Sequence, residues 1–245
     1  MKKIECIIMD WAGTAVDYGC FAPVAAFLKA FNEIGINITM EQARRPMGMA
    51  KIDHIRELFK MDGVGEEFEK LYHRPWNEQD VIDMNAKFEE YLFASLANYT
   101  DPIPGVIDTL NELRKQGIKI GSTTGYTQAM MDVVLPNAAR KGYTTDKCVT
   151  PNGLPAGRPF PYMIYQNMID LAIPSTDSVL KYGDTIADIK EGINAKVWTV
   201  GVILGSNELG LTQEEVEQMP PATLTARKAE VRQLSLIHIS EPTRH

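Results

Sequence analysis

The first hydrophobic segment of the chain is a short apolar run from Ile4 to Met9, which Asp10 follows directly. The run is too short for a helix and rich in β-branched residues, which predicts a buried, parallel strand. Gly13 and Thr14 then turn the chain. Because open α/β sheets bind ligands just beyond the carboxyl ends of their strands, Asp10 is a candidate nucleophile or metal ligand. The alternative is a carboxylate that only caps the turn.

Apolar residues recur at helical spacing between residues 20 and 99, and no segment there favours a strand. Pro23 fits the first turn of one helix, and Thr39 with Gln42 forms a capping box for the next. A third helix is predicted to begin near Ala50, with at least two more downstream. An all-helical stretch placed directly after the first strand predicts a cap domain, residues 20–99.

From residue 100 onward, strand-like and helical segments alternate, which implies a parallel sheet with right-handed crossovers. The predicted fold class is therefore α/β, with a Rossmann-like parallel-sheet core formed by residues 1–19 and 100–233, and the helical cap inserted after the first strand. Pro136 is expected to kink or shorten its helix. The predicted strands are 118–123, 148–150, 178–182 and 197–202, and the predicted helices are 106–116, 129–140, 162–171, one ending near Ala195 and one ending near Met219.

The last twelve positions, residues 234–245, continue no pattern and are predicted to be a non-native tail. His238 and His245 lie in this segment and are given no role.

The amino-acid composition argues against several classes of function. The 245 residues are 44% hydrophobic and 23% charged, with a net charge of −7, which is typical of a globular protein. No long basic run indicates nucleic-acid binding, and no apolar run has the length of a membrane span. Three cysteines without framework spacing favour a reducing compartment. We therefore expect a cytoplasmic protein that binds neither nucleic acid nor membrane.

Five chemically active side chains follow successive predicted strands, in the order carboxylate, hydroxyl, cation and paired carboxylates: Asp10, Thr124, Arg158, Asp184 and Asp188. This order is typical of phosphoryl transfer. Asp10 can attack phosphorus and form an aspartyl phosphate, while Thr124 and Arg158 can hold phosphoryl oxygens. Asp10, Asp184 and Asp188 can hold a hard cation, for which Mg²⁺ is favoured. For Asp188, capping of the helix start is an open alternative.

These residues lie in four segments that resemble the motifs of the haloacid dehalogenase superfamily: Asp10–Thr14, Thr124–Gly125, Arg158–Pro159 and Gly183–Asp188. Within the superfamily the chain resembles the phosphonoacetaldehyde hydrolase (phosphonatase) family. One departure is Lys196, where that family usually has glycine. A left-handed backbone at Lys196 would cost about 1 kcal/mol. The narrower resemblance rests on residues 10–20, 46–54, 121–126, 155–161 and 181–201.

Ala12 occupies the position at which ester phosphatases of this superfamily carry an acid for the leaving alkoxide. Two interpretations follow: a dead phosphatase, or an enzyme whose leaving group needs no such acid. Lys51 favours the second. It lies at a predicted helix start, where the dipole disfavours an ammonium, and burial under a cap would disfavour the charge further. Both effects favour a neutral amine that can form a Schiff base with an aldehyde.

The resemblance implies that Lys51 forms an imine with phosphonoacetaldehyde and that Asp10 accepts the phosphoryl group, which releases acetaldehyde and then phosphate. His54, on the same helix face as Lys51, is implied to move protons, the alternative being a cap-surface histidine. The resemblance also implies a place in 2-aminoethylphosphonate degradation, Mg²⁺ as cofactor and a homodimer. Predicted metal contacts are Asp10, the Ala12 carbonyl, Asp184 and, indirectly, Asp188, and predicted substrate contacts are Thr124, Arg158, Cys20, Tyr126, Met47 and Gly48.

Two rival functions stay open. One is a helical-capped phosphatase or mutase that acts on a small phosphate ester, although the absence of an acid at Ala12 disfavours it. The other is a catalytically silent protein that binds phosphoanions, which the intact set of Asp10, Thr124, Arg158 and Asp184 disfavours.

Overall fold

A computed structural model describes residues 3–237, with side chains up to Leu234. Its centre is a five-stranded sheet with the order β3-β2-β1-β4-β5, in which every adjacent pair is parallel. The predicted Rossmann-like α/β class is therefore confirmed. The strands are β1 (Cys6–Met9), β2 (Lys119–Thr123), β3 (Lys147–Val149), β4 (Val179–Gly183) and β5 (Trp198–Gly201).

Helices fill the remainder of the described chain. Two short 3₁₀ turns, Leu96–Tyr99 and Thr176–Ser178, accompany them. The helices are α1 (Phe21–Glu33), α2 (Met40–Arg44), α3 (Lys51–Phe59), α4 (Val64–Tyr72), α5 (Glu78–Ser95), α6 (Val106–Lys115), α7 (Gln128–Arg140), α8 (Tyr162–Asp170), α9 (Ile186–Asn194), α10 (Gln213–Gln218) and α11 (Pro221–Ile237).

The position of β1 decides where the polar loops meet. All four residues of β1 are buried, and Met9 pairs with Ser122 on β2 and with Tyr182 on β4. Parallel strands in this register end at the same edge. The loops that carry Asp10, Thr124 and Asp184 therefore lie together at the carboxyl edge of the sheet.

The helical insert, residues 20–99, packs as one layer over that edge. Helix α1 lies along α5, and Phe27 of α1 stacks on Phe88 of α5 with ring centroids 4.1 Å apart. Phe31 and Phe59 join α1 to α3 at 5.2 Å. These side chains belong to one buried apolar cluster that continues into β1, so the insert is packed against the sheet rather than tethered beside it.

The chain enters and leaves the insert through two adjacent segments. Val16 and Pro102 form an antiparallel bridge, and the Ile103 N–H donates to the Ala15 carbonyl at 2.9 Å. Asp17, at the start of the insert, caps α1 by accepting the N–H groups of Phe21 and Ala22 at 3.0 Å each. Burial, only partly offset by these two bonds, raises the pKa of Asp17 to about 6.

Several helix ends have the local structure that their sequences favour. The capping boxes at Thr39 with Gln42 and at Thr212 with Glu215 are both formed. Lys196 adopts the left-handed backbone with φ 56°. That conformation costs an L-residue about 1 kcal/mol relative to glycine.

Other expectations need correction. Pro136 does not shorten α7, which continues to Arg140; the Asn137 side chain donates to the Val133 carbonyl at 2.7 Å, and the helix buries Met130 and Val134. Helix α11 was not predicted, and it includes residues 234–237 of the predicted tail. The other tail residues, with His238 and His245, lie outside the described chain. Within the described part, no helix is long and apolar enough to span a membrane.

Replacing Lys196 with glycine tests the strained C-terminus of α9. We expect Lys196→Gly to raise the free energy of unfolding by about 1 kcal/mol, because glycine adopts a positive φ without a steric penalty. Urea unfolding measures this change. The exposed Lys190, inside the same helix, is the control: Lys190→Gly should lower stability by about 1 kcal/mol. A Lys196→Gly protein no more stable than the native chain would contradict the prediction.

Candidate active site

Asp10 lies one residue beyond β1 and is almost fully buried. Its N–H donates to the Tyr182 carbonyl at 2.9 Å, which extends the pairing with β4 and directs the carboxylate over the sheet edge. Burial raises the pKa of Asp10, an effect that the Arg158 cation opposes. A carboxylate held in this way, with little water around it, is suited to nucleophilic attack.

Two buried cations face this carboxylate. Nη2 of Arg158 donates to Asp10 at 2.6 Å and to the Thr123 hydroxyl at 2.8 Å, and Nη1 lies 3.0 Å from Asp188. Nζ of Lys181, in β4, lies 2.8 Å from Asp188 and 3.3 Å from Glu191. Arg158 is buried and is not a surface cation. Burial opposes its charge, but the surrounding carboxylates, with Asp10 foremost, raise the pKa of Arg158.

Asp188 caps a helix start, which was the open alternative, and it also belongs to the charged cluster. It forms the capping box of α9 with Thr185, whose hydroxyl donates to Oδ2 at 2.6 Å. Its Oδ1 meets Arg158 and Lys181. Burial opposes the ionised form of Asp188, but these two cations outweigh it and lower the pKa.

Asp184 has a different environment. Its oxygens accept the Thr14 hydroxyl at 3.1 Å and the Asn207 N–H at 2.7 Å. In the described residues, no Lys, Arg or His nitrogen lies within 4.0 Å of it. Burial, with Asp10 and Asp188 nearby, raises the pKa of Asp184 well above its ordinary value. A tight turn at Gly13 makes room for this carboxylate, since a Cβ there would lie 2.1 Å from Oδ2.

The donor set fits a hard divalent cation. One oxygen each from Asp10, Asp184 and Asp188 lies within 4.8 Å of the others. Counting Glu191, the cluster has four buried carboxylates but only two buried cations, Arg158 and Lys181. An uncompensated buried charge is costly. A cation of charge two at this cluster would balance the ionised groups, and oxygen-only ligation is typical of Mg²⁺.

Lys51 is the first residue of α3 and is 6% exposed. Its Nζ lies 3.8 Å from the Met47 sulfur and 5.2 Å from the centre of the Tyr126 ring. In the described chain no carboxylate oxygen lies within 4.0 Å of this amine. Burial lowers the pKa of Lys51 from 10.5 to about 8, although Cys20 and Asp10 oppose the shift. Lys51 is therefore buried, as expected for an amine beneath a cap.

His54 lies one turn further along α3 and is fully buried, so it is not a surface residue. Its ring stacks on Phe27 at 3.9 Å, and Nε2 is 2.9 Å from the Ala43 carbonyl. Burial and the neighbouring Lys51 lower its pKa well below 6.5. The ring is therefore neutral, and Nε2 must carry the proton donated to that carbonyl. Nδ1 has no partner in the described residues.

The predicted substrate contacts line one cavity between the insert and the sheet: Asp10, Ala12, Cys20, Met47, Gly48, Lys51, Thr124, Tyr126 and Arg158 all border it. The space inside is about 20 Å³, enough for about one water molecule. Burial raises the pKa values of both Cys20 and Tyr126 well above their ordinary values, so both are neutral. The structure thus places these predicted side chains around a closed space. His54 lies behind it rather than on its wall.

Sequence reasoning missed part of the charged cluster. Lys181 is a cation in the middle of a buried strand, and that position alone signals a paired group. Glu191 lies three residues after Asp188 on α9, hence on the same face. Its Oε2 accepts from Arg158 and from Thr123, both at 3.1 Å. Asn207 had no local signal, because its contacts join residues far apart in the chain.

Comparisons with known proteins place this chain among hydrolases. A sequence model described as haloacid dehalogenase-like hydrolase matches residues 4–196. The phosphonoacetaldehyde hydrolase of Bacteroides fragilis is 65% identical over 236 residues, which cover 96% of this chain and 90% of that protein. A bifunctional phosphonoacetaldehyde hydrolase/aminoethylphosphonate transaminase of Clostridioides difficile is 52% identical over 92% of this chain and 36% of its own length. A solved phosphonoacetaldehyde hydrolase-like protein from Oleispira antarctica has a TM-score of 0.94 at 33% identity, covering 96% of this chain and 85% of that one.

Gly48 offers a test of the closed arrangement. A Cβ at Gly48 would lie 2.3 Å from the Thr185 hydroxyl oxygen. We therefore expect Gly48→Ala to hold the insert away from the sheet and to lower kcat/KM by about a hundred-fold or more, since even a displacement of about 1 Å can cost that factor.

Gly63 is the matched control for this test. It has nearly the same positive φ, 86° against 88°, and a Cβ there would meet nothing within 4 Å. Gly63→Ala should therefore reproduce the backbone strain, with a stability loss of about 1 kcal/mol, and leave turnover unchanged. Equal activity of the two variants would contradict the predicted obstruction.

Proposed function

The chain belongs to the phosphonoacetaldehyde hydrolase family of haloacid dehalogenase-like hydrolases, and on that premise we propose that it cleaves phosphonoacetaldehyde to acetaldehyde and phosphate. One observation carries the proposal: an amine with a lowered pKa and a buried carboxylate, Lys51 and Asp10, border the same small cavity. A substrate with an aldehyde and a phosphonate on adjacent carbons engages both groups at once.

The first step uses Lys51. Its neutral amine adds to the aldehyde carbon, the hydroxyl that forms takes up a proton and leaves as water, and a protonated imine remains. The charge of Lys51 helps to lower the pKa of His54, and the neutral His54 ring, whose Nδ1 has no partner in the described residues, is proposed to accept a proton during this addition. The iminium then withdraws electrons from the carbon that is bonded to phosphorus.

The second step uses Asp10. Its carboxylate attacks phosphorus, the P–C bond breaks, and the bonding pair moves into the enamine on Lys51. Arg158 and Thr124, which border the same cavity, are proposed to hold the phosphoryl oxygens and the negative charge that develops there. Protonation of the enamine carbon and hydrolysis of the imine release acetaldehyde, and attack of water on the aspartyl phosphate releases phosphate.

Ala12 is consistent with this route. Carbon leaves as an enamine, so no alkoxide forms that would need an acid at residue 12. For the same reason an ester phosphatase or mutase is the weaker candidate. The buried cations and carboxylates also disfavour a catalytically silent protein, because a binding site alone has no use for an amine with a lowered pKa.

Mg²⁺ is the proposed cofactor. Asp10, Asp184 and the Ala12 carbonyl would bind it, with Asp188 behind them, and it would neutralise the repulsion between the carboxylate and the phosphonate. The buried carboxylates that outnumber the cations support this assignment.

The insert, residues 20–99, is proposed to act as a cap domain over the core of residues 1–19 and 100–233. A cavity of about 20 Å³ is too small to admit the substrate, so the cap has to open for binding and product release. The link to 2-aminoethylphosphonate breakdown is supported by the bifunctional Clostridioides difficile relative, whose name joins the hydrolase to an aminoethylphosphonate transaminase. The homodimer and the cytoplasmic location stay predictions.

Trapping the imine tests the role of Lys51. Borohydride with phosphonoacetaldehyde should add the reduced substrate to the Lys51 peptide, as read by mass spectrometry. Because only the neutral amine reacts, the trapping rate should rise about tenfold per pH unit below a pKa of about 8 and level off above it. Lys51→Arg should give no adduct, and Lys60→Arg, on the exposed face of α3's C-terminus, should behave as the native chain. An adduct only elsewhere would reject the imine route.

Acetaldehyde release, coupled to alcohol dehydrogenase, tests the nucleophile and the metal. Asp10→Asn should lower kcat by at least about a thousand-fold, since the amide cannot attack phosphorus, yet it should still allow Lys51 to be trapped. Chelation should abolish turnover, and Mg²⁺ should restore it. Efficient turnover of small phosphate esters by the native chain would instead favour the phosphatase, and phosphate binding without any turnover would favour the silent protein.

A further inference from the structure

Arg44 and Asn207 join the insert to the sheet through a reciprocal pair of contacts. Arg44 ends α2, and its Nη1 donates to Oδ1 of Asn207 at 3.1 Å and to the Asn207 carbonyl at 3.4 Å. Nδ2 of Asn207 donates back to the Arg44 carbonyl at 3.2 Å. Asn207 is 1% exposed. Side chain and backbone of each residue therefore bond to the other.

Asn207 also contacts the predicted metal ligand. Its backbone N–H donates to Oδ2 of Asp184 at 2.7 Å. The same residue thus bonds to the insert with its side chain and to Asp184 with its main chain. A displacement of the loop after β5 would change both contacts together.

The loop around Asn207 is held in place by its own hydrogen bonds. The Ser206 hydroxyl donates to the Ile203 carbonyl at 2.7 Å and accepts the Leu209 N–H at 3.0 Å. Arg44 Nη1 also donates to the Gly19 carbonyl at 2.7 Å, and the Gly19 N–H donates to the Gly205 carbonyl at 2.7 Å. The guanidinium therefore ties this loop to the point where the chain enters the insert.

We propose that Arg44 and Asn207 are positioning residues that latch the insert in its closed state and hold the loop that orients Asp184. The inference deepens the proposed function, on which it rests, because closure is what places Lys51 and Asp10 at one cavity. Neither residue borders that cavity, so both act through others. Loss of one hydrogen bond to a charged group should shift the closed-to-open ratio by about ten- to a hundred-fold.

Alkylation of Cys20 measures the open state without any substrate. Cys20 borders the cavity and is 2% exposed, whereas Cys6 is fully buried in β1 and reports global unfolding. With iodoacetamide and peptide mass spectrometry, Arg44→Met and Asn207→Ala should each label Cys20 about ten- to a hundred-fold faster than the native chain, with Cys6 unlabelled. The exposed neighbour Arg45 is the matched control, and Arg45→Met should leave the rate unchanged.

A double variant and a metal titration complete the test. Arg44→Met and Asn207→Ala combined should raise the labelling rate of Cys20 by less than the product of the two single effects, because both variants remove the bond between Arg44 Nη1 and Asn207 Oδ1. Asn207→Ala keeps the backbone N–H that Asp184 accepts. We expect this variant to bind Mg²⁺ about threefold more weakly or worse in calorimetry, because the loop no longer holds that N–H in place.

Native labelling rates in both single variants would overturn the latch, and unchanged Mg²⁺ affinity would overturn the coupling to Asp184. If Arg44→Met labels Cys6 as well, Arg44→Lys decides: it keeps the charge but not the fork, and an unchanged Cys20 rate there also rejects the latch. A native chain that fails to cleave phosphonoacetaldehyde but shows the labelling pattern would reject the proposed substrate and keep the latch.

Discussion

The interaction on which the structure depends is the buried charge cluster at the carboxyl end of β1. Arg158 bonds to Asp10, Asp188 and Glu191, and Lys181 bonds to the last two. Burial of so many ionised groups is unfavourable unless each has close partners. The fold meets that condition by bringing a strand, a loop and a helix to one point. Asp184 is the exception, because no cationic side chain of the described residues lies within 4.0 Å of it.

The insert extends this low-dielectric region over the site. Its apolar layer covers Lys51 and His54, and burial is the main cause of the lowered pKa of each. Lys51 lowers the pKa of His54 further, whereas Cys20 and Asp10 oppose the shift at Lys51. The same amine at a solvent-exposed helix start would keep a pKa of about 10.4, so a much smaller fraction of it would be neutral at neutral pH. Packing of the insert, as seen in the Phe27–His54 stack, is therefore what prepares the chemistry of α3.

Most of the fold and the central site residues could be predicted from the sequence, because their signals are local. The run ending on Asp10 and the capping box of α2 follow from neighbouring residues, as does the position of Lys51 at the start of α3. The left-handed backbone at Lys196 was expected from the family resemblance instead. Helix α11 lacked a marked apolar face, so its packing was not evident from the sequence. Glu191 and Asn207 were missed because their partners lie on other elements, and only tertiary structure brings such pairs together.

The paired chain segments that lead into and out of the insert limit how it can move. Val16 bridges Pro102, and Ile103 bonds to Ala15, directly beside the loop that carries Asp10. Two adjacent tethers permit rotation about the line that joins them but resist translation and twist. An opened insert would therefore sweep Lys51 along a single arc. The amine would stay at a high effective concentration relative to Asp10 throughout the cycle, and reclosing would need no search in three dimensions.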